Sequence, residues 1–172
     1  QNMREVRPTI MLGVPRFFEK LYDRVQEALR AAPPLRRRLA AWAIAVGKRC
    51  ASFRLSGSSV PLQLAIRHRI AHHLVFKKFH ARLGGRLRFF VSGSAPLSKE
   101  IAEFFYAVGI TILEGYGLTE TSPVIAVNRL AAPKFGSVGQ AVSGVEGWIA
   151  EDGEILTRGP HVMQGYYRRL EA

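Results

Sequence analysis

Glu114, Gly115, Tyr116, Gly117, Thr119 and Glu120 fall within one short stretch of the chain. Their types suit a site for a magnesium-bound nucleotide. Glycines 115 and 117 let the backbone approach a flat or phosphorylated ligand closely. Tyr116 offers a ring face to a base, and Thr119 offers a hydroxyl to a phosphate oxygen. Glu120 supplies a hard oxygen for magnesium, which takes one or two carboxylates together with phosphate oxygens. An upstream loop, Ser92-Gly93-Ser94-Ala95-Pro96, adds a further glycine. The competing reading is a pair of purely structural turns, since glycine-rich turns containing a threonine are common. Ser94 is not the nucleophile of a strand–turn–helix elbow, because Val91-Ser92-Gly93-Ser94-Ala95 lacks the second glycine.

The elements flanking these loops are legible in the hydrophobic pattern. Leu87 to Val91 and Ile110 to Leu113 read as buried strands, with a helix between them that starts after Ser98, a good N-cap, and ends at Gly109. Strand, helix and strand at this spacing predict a βαβ unit with a parallel sheet. Both loops then follow the carboxyl ends of parallel strands, where ligands of open α/β sheets bind. Three helices are expected upstream. The first runs from Pro15 to about Arg30, with Phe17, Phe18, Leu21, Tyr22, Val25 and Leu29 on one stripe. The second runs from Leu35 to about Leu55 and carries Leu35, Leu39, Trp42 and Val46, with Trp42 expected in the core. The third starts at Pro61, carries Leu62, Ile66, Ile70 and Leu74, and ends near Gly84-Gly85. Downstream, Val145 to Ala150, Asp152-Gly153 and Glu154 to Thr157 read as a hairpin. The chain therefore divides into a basic helical region (1–86), a βαβ unit bearing the loops (87–132) and a β-hairpin region (133–172).

The composition is that of a globular α/β protein: 172 residues, 48% hydrophobic and 22% charged. It excludes a disordered tail, a collagen-like repeat and a disulfide framework. Cys50 is the single cysteine, which fits a reducing, cytoplasmic setting. The longest apolar run, Leu39 to Val46, is too short to span a bilayer. The net charge of +12 is concentrated at one end: residues 1–88 hold 19 of the 25 Lys and Arg but only 4 of the 13 Asp and Glu. These cations are scattered around helices without interleaved stacking aromatics, so no nucleic-acid partner is expected. Peripheral contact with an anionic membrane stays open. His68, His72 and His73 sit among Arg67, Arg69, Lys77 and Lys78, which repel a metal ion. His80 and His161 read as surface or loop residues.

Glu114-Gly115-Tyr116-Gly117-Leu118-Thr119-Glu120-Thr121-Ser122-Pro123 resembles the adenylate-binding motif of the adenylate-forming (AMP-binding) superfamily. Ser92-Gly93-Ser94-Ala95-Pro96-Leu97 resembles its adenine-side loop. Gly153-Glu154-Ile155-Leu156-Thr157-Arg158-Gly159-Pro160 and Met163-Gln164-Gly165-Tyr166-Tyr167 resemble a later stretch of the same family. Leu12-Gly13-Val14-Pro15-Arg16-Phe17-Phe18-Glu19-Lys20 and the basic helical segment are similar to bacterial long-chain fatty acid–CoA ligases. One departure is Gly147-Trp148, where the family more often has an alternating strand with a basic residue.

The resemblance implies part of a large N-terminal domain and a set of roles. The residue matching Tyr116 stacks on adenine, the position matching Glu114 lies near the adenine amino group, and Gly93, Ser94, Ala95 and Pro96 wall the base. Thr119 contacts the α-phosphate and Glu120 holds magnesium, the two carrying the catalytic work. The implied activity is that of an acid–thiol ligase: ATP and a fatty acid give an acyl-adenylate, whose acyl group passes to CoA. A phosphate loop ending in Lys, a ribose-binding acid and a catalytic lysine are not found, so the chain is expected to be an internal piece of a longer enzyme, inactive alone. The alternatives are an adenylating enzyme for another carboxylic acid and a non-catalytic basic module on anionic membrane.

Overall fold

A computed structural model describes residues 2–169. The segment Pro8 to Leu12 sets the first strand, β1 (Ile10–Gly13), after a short helix α1 (Asn2–Val6). Three long helical stretches follow: α2 (Pro15–Arg30), α3 (Pro34–Leu55) and α4 (Leu62–Ala71), the last continued by a wide turn (His72–Phe76) into α5 (Lys77–Arg82). Pro15 and Pro34 stand in the first turns of their helices, where the missing N–H costs nothing and the fixed φ suits the helix. Strand β2 (Phe89–Ser92), helix α6 (Lys99–Ala107) and strand β3 (Thr111–Tyr116) form the expected βαβ unit. Ser98 takes the N-cap position of α6, though its side chain makes no capping bond.

The sheet runs in the order β1-β2-β3-β4-β5. Its first three strands are parallel, with Gly13, Ser92 and Glu114 abreast at their carboxyl ends. Short strands β4 (Ala126–Val127) and β5 (Gln140–Ala141) then add antiparallel. The hydrophobic pattern did not reveal β1, β4 or β5: β4 and β5 are two residues long, too short for any alternation to count. A separate hairpin pairs β6 (Glu146–Ile149) with β7 (Ile155–Arg158), Gly147 facing Thr157 and Trp148 facing Leu156. Its turn is wider than a two-residue Asp-Gly turn. The Ala150 N–H donates to the Glu154 carbonyl at 2.8 Å, enclosing Glu151, Asp152 and a left-handed Gly153 at φ +89°.

The core lies between the sheet and the helices. Phe18, Ala43, Cys50, Ala71, Phe76, Phe90, Ala102, Val108 and Ile112 are fully buried. Phe18 packs edge-on against Phe90 at 5.2 Å, which seats α2 on the sheet. Two expected helix faces differ. In α3 Val46 is buried as expected, but the rest of the buried stripe is Ala40, Ala43, Gly47, Cys50 and Ala51, while the larger Leu35, Leu39 and Trp42 are exposed. Small residues win because α3 presses directly on α6: a Cβ on Gly47 would come within 2.2 Å of the Ala107 carbonyl oxygen. In the third helical stretch Leu62, Ile66, Ile70 and Leu74 are exposed, while Leu64, Ala71, Val75 and Phe76 are buried. The difference is already present in regular α4, whose buried face is carried by Leu64 and Ala71, before the wide turn at His72–Phe76 begins. His80 is not a surface residue. It is half-buried in α5 and its ring Nε2 lies 3.3 Å from the Val108 carbonyl.

Candidate functional site

The carboxyl ends of β2 and β3 bring the two glycine-bearing loops side by side. Ser92 and Glu114 are neighbours in register, so Gly93 and Gly115 continue the two strands next to each other. Gly93 would place a Cβ 3.8 Å from the Gly115 carbonyl oxygen. Ser94 takes a left-handed φ of +71°, which turns Ser94, Ala95 and Pro96 out into solvent before Leu97 re-enters the core. Gly117 permits a crossing that no other residue would. A Cβ there would meet the Pro123 carbonyl oxygen at 1.8 Å. The chain then folds through a single turn, Thr119–Thr121, fixed by Thr121, whose buried hydroxyl accepts from the Leu118 N–H and donates to the Leu118 carbonyl, both at 2.9 Å. Thr119 is exposed on this turn, Glu120 follows it, and half-buried Tyr116 lies at the strand end before it.

Glu114 does something sequence reasoning did not anticipate. Its side chain is buried, and both carboxylate oxygens are occupied. Oε2 accepts from the Leu97 N–H at 3.2 Å, and Oε1 accepts from the Gly136 N–H at 3.3 Å. The residue expected beside an adenine amino group thus spends its carboxylate on tying the Ser92–Leu97 loop to the Lys134–Gly136 loop. Asn128 completes that clamp. It is buried, its amide donates to the carbonyls of Lys134 (3.2 Å) and Ser137, and its Oδ1 accepts from the Lys134 N–H at 2.9 Å. Nothing in local spacing marked Asn128, since its partners are defined only once the loop closes.

Glu120 has one side-chain partner among the described residues. The Tyr166 hydroxyl donates to its Oε1 at 2.6 Å, and the Met163 N–H donates to its carbonyl at 2.8 Å. The phenol bond, helped by the residue's own backbone N–H, holds the carboxyl below its ordinary value. The same bond and the adjacent negative charge raise the Tyr166 hydroxyl above its own. Ser92 Oγ at the base of the site is fully buried with no hydrogen-bond partner among the described residues.

The site therefore offers a glycine-lined crevice at the ends of parallel strands, an exposed hydroxyl, and a carboxylate whose hard oxygens suit a small divalent cation. A cavity of about 670 Å³ opens elsewhere, between α2, α3 and α5. It contains none of the loop residues; its wall is Leu21, Val25, Leu29, Leu74 and Phe79 with Arg24, Arg36, Lys78 and Arg82. Its apolar walls and surrounding cations come from the junction of these helices, away from the loops. Among the described residues, no helix is long and apolar enough to cross a membrane.

Residues 1–167 match the family model of AMP-binding enzymes. The chain is 41% identical over 164 residues to a Mycobacterium tuberculosis protein named provisionally as fatty-acid–CoA ligase fadD11, covering 94% of this chain and 29% of that one. It is 39% identical to the long-chain-fatty-acid–CoA ligase FadD15 of Mycobacterium bovis, covering 96% and 27%. The chain thus spans less than a third of these relatives' length. Among solved structures, a benzoate CoA ligase from Burkholderia xenovorans LB400 shares the fold, with a TM-score of 0.58 at 23% identity over 99% of this chain and 26% of that one. The match runs through both glycine-bearing loops and the hairpin, and the chain belongs to the AMP-binding enzyme family.

Proposed function

We propose that the protein carrying this chain is an ATP-dependent fatty acid–CoA ligase, which joins a fatty acid to AMP and passes the acyl group to CoA. The observation that carries this reading is the juxtaposition of the Ser92–Pro96 and Glu114–Glu120 loops at the ends of β2 and β3. Identity of about two in five to fatty-acid–CoA ligases supports the substrate class. A chimera solved with ATP bound shares the fold at a TM-score of 0.50 and 26% identity, which supports a nucleotide in the crevice.

In this reading Gly93, Ser94, Ala95 and Pro96 wall the adenine and Tyr116 stacks on it. Glycines 115 and 117 keep the floor free of side chains, and Glu114 holds the wall from behind. The Thr119 hydroxyl donates to an α-phosphate oxygen as charge builds there. Glu120 suits magnesium because it is a hard donor held as the carboxylate; a magnesium ion so held supplies charge neutralisation at the phosphates. Binding the carboxylate and the α-phosphate in line turns an encounter between two anions into an oriented displacement, with pyrophosphate as the leaving group. A cytoplasmic location, with peripheral contact to anionic membrane through the basic half, is compatible with a fatty acid substrate.

The test is ATP–pyrophosphate exchange by the intact protein against a panel of carboxylic acids. Exchange dependent on long-chain fatty acids, with acyl-CoA formed once CoA is added, is the expected result. Exchange dependent on an aryl or amino acid alone would replace the fatty acid with that class. No exchange with any acid would leave a binding module.

A further inference from the structure

We propose that Tyr166 is a positioning residue for the Glu120 carboxylate, holding Oε1 so that Oε2 is presented to magnesium. This rests on the reading of Glu120 as the metal-binding carboxylate. A glutamate is among the side chains with the most rotamer freedom to lose, so an unsupported one is a poor half of a metal site. Here the hydroxyl 2.6 Å away fixes one oxygen. The donor's chemistry matters as much as its position. A phenol is neutral, so it orients the carboxylate without cancelling the charge that a cation needs; a lysine or arginine there would compete with the metal. Partners of this kind set ligand orientation in metal sites generally.

The backbone is arranged to deliver this contact. The segment after β7 leaves the hairpin at Gly159, whose Cβ would come within 2.6 Å of the Gly144 carbonyl oxygen. It is pinned there by Thr157 Oγ1, 2.9 Å from His161 Nε2. It reaches the turn at Glu120 through the Met163 N–H, then reverses at Gly165 with φ +142°, which brings Tyr166 back over the carboxylate. One backbone bond and one side-chain bond therefore land on the same residue across more than forty positions of sequence. Tyr166 itself is half exposed, so its ring is not a core-packing element.

The test uses the intact protein with Tyr166→Phe, Glu120→Gln and the double variant. Manganese, substituted for magnesium, is titrated into each protein with ATP and followed by electron paramagnetic resonance. The magnesium dependence of ATP–pyrophosphate exchange is measured alongside. Removing only the hydroxyl is expected to weaken manganese binding about tenfold, the low end for loss of such a partner. The half-saturating magnesium concentration should rise in step and by more than kcat falls. The double variant should be weaker than Glu120→Gln by clearly less than that factor, because the two residues act through one carboxylate. Manganese affinity unchanged in Tyr166→Phe but weakened in Glu120→Gln would overturn the role of Tyr166. Affinity unchanged in Glu120→Gln would instead remove Glu120 as the ligand. A double variant whose loss equals the product of the single losses would also reject the coupling.

Discussion

In the stretch Glu114–Glu120 the first carboxylate is buried between two loops, and the last is held near the surface by a phenol. Residue type and spacing single out the stretch as a candidate loop, but they do not separate these two jobs. The difference lies in partners far away: the N–H groups of Leu97 and Gly136 for one, and Tyr166 for the other. Sequence spacing is blind to such pairs, which is why Asn128 and the clamping role of Glu114 emerge only from the fold. A consequence is that Glu114 acts on stability first. Glu114→Ala leaves two backbone donors facing a void and is expected to cost about 2–4 kcal/mol. Glu114→Gln keeps one acceptor and should cost roughly half as much. Urea unfolding of the intact protein checks the order. Equal stability of all three proteins, with nucleotide affinity lost, would make Glu114 a ligand contact and not a clamp.

The helices, the βαβ unit and the final hairpin stand close to where proline, glycine and hydrophobic periodicity put them. The faces of two helices do not. Counting large apolar residues favours Leu35, Leu39 and Trp42 beside Val46, whereas the buried face is Val46 with alanines, Cys50 and Gly47, where α3 meets α6 too closely for any side chain. In α4, which leads into the wide turn at His72–Phe76, Leu62, Ile66 and Ile70 are likewise exposed while Leu64 and Ala71 are buried. This turn also concentrates imidazoles. His68 is pushed below its ordinary pKa by burial, then by Arg54 and His72. His72 is pushed down by burial, then by His80, His73 and Lys77. Both are therefore held neutral in the folded protein more firmly than in the unfolded chain, where the value is about 6.5. Their favourable contribution is complete above that pH. It is lost as pH falls from about 6.5 towards the lower folded value, because the unfolded state then binds the proton more readily. The melting temperature should accordingly drop between pH 7.5 and 5.5, and drop less in His72→Gln. Equal drops in the two proteins would show that His72 does not contribute.

At the scale of the whole molecule the surface is too large for a self-sufficient domain. The accessible area is 12087 Å². A compact monomer of 19.1 kDa exposes about 8,400 Å² by the usual mass scaling. The excess, about 3,700 Å², is of the size buried in obligate interfaces. It is also apolar in the places that matter: Leu12 on edge strand β1 is 78% exposed, Leu35 is 80% exposed, and Leu62 is 75% exposed. Strand β1 pairs on one side only within the described residues, so it adds an open row of backbone donors and acceptors to that surface. Patches of this kind mark contact with further protein, and relatives more than three times as long are consistent with that. The 172-residue chain produced alone is therefore expected to bind a hydrophobic dye strongly and to elute from a sizing column as aggregates. The intact protein should do neither at the same concentration. Charge sharpens the test, because the net +12 opposes self-association at low salt and is screened at high salt. Aggregation that grows with added salt would point to apolar faces and the free sheet edge as the cause. A monodisperse, dye-silent monomer at every salt concentration would mean that the helices close over their own apolar faces in solution, and the argument from excess area would fail.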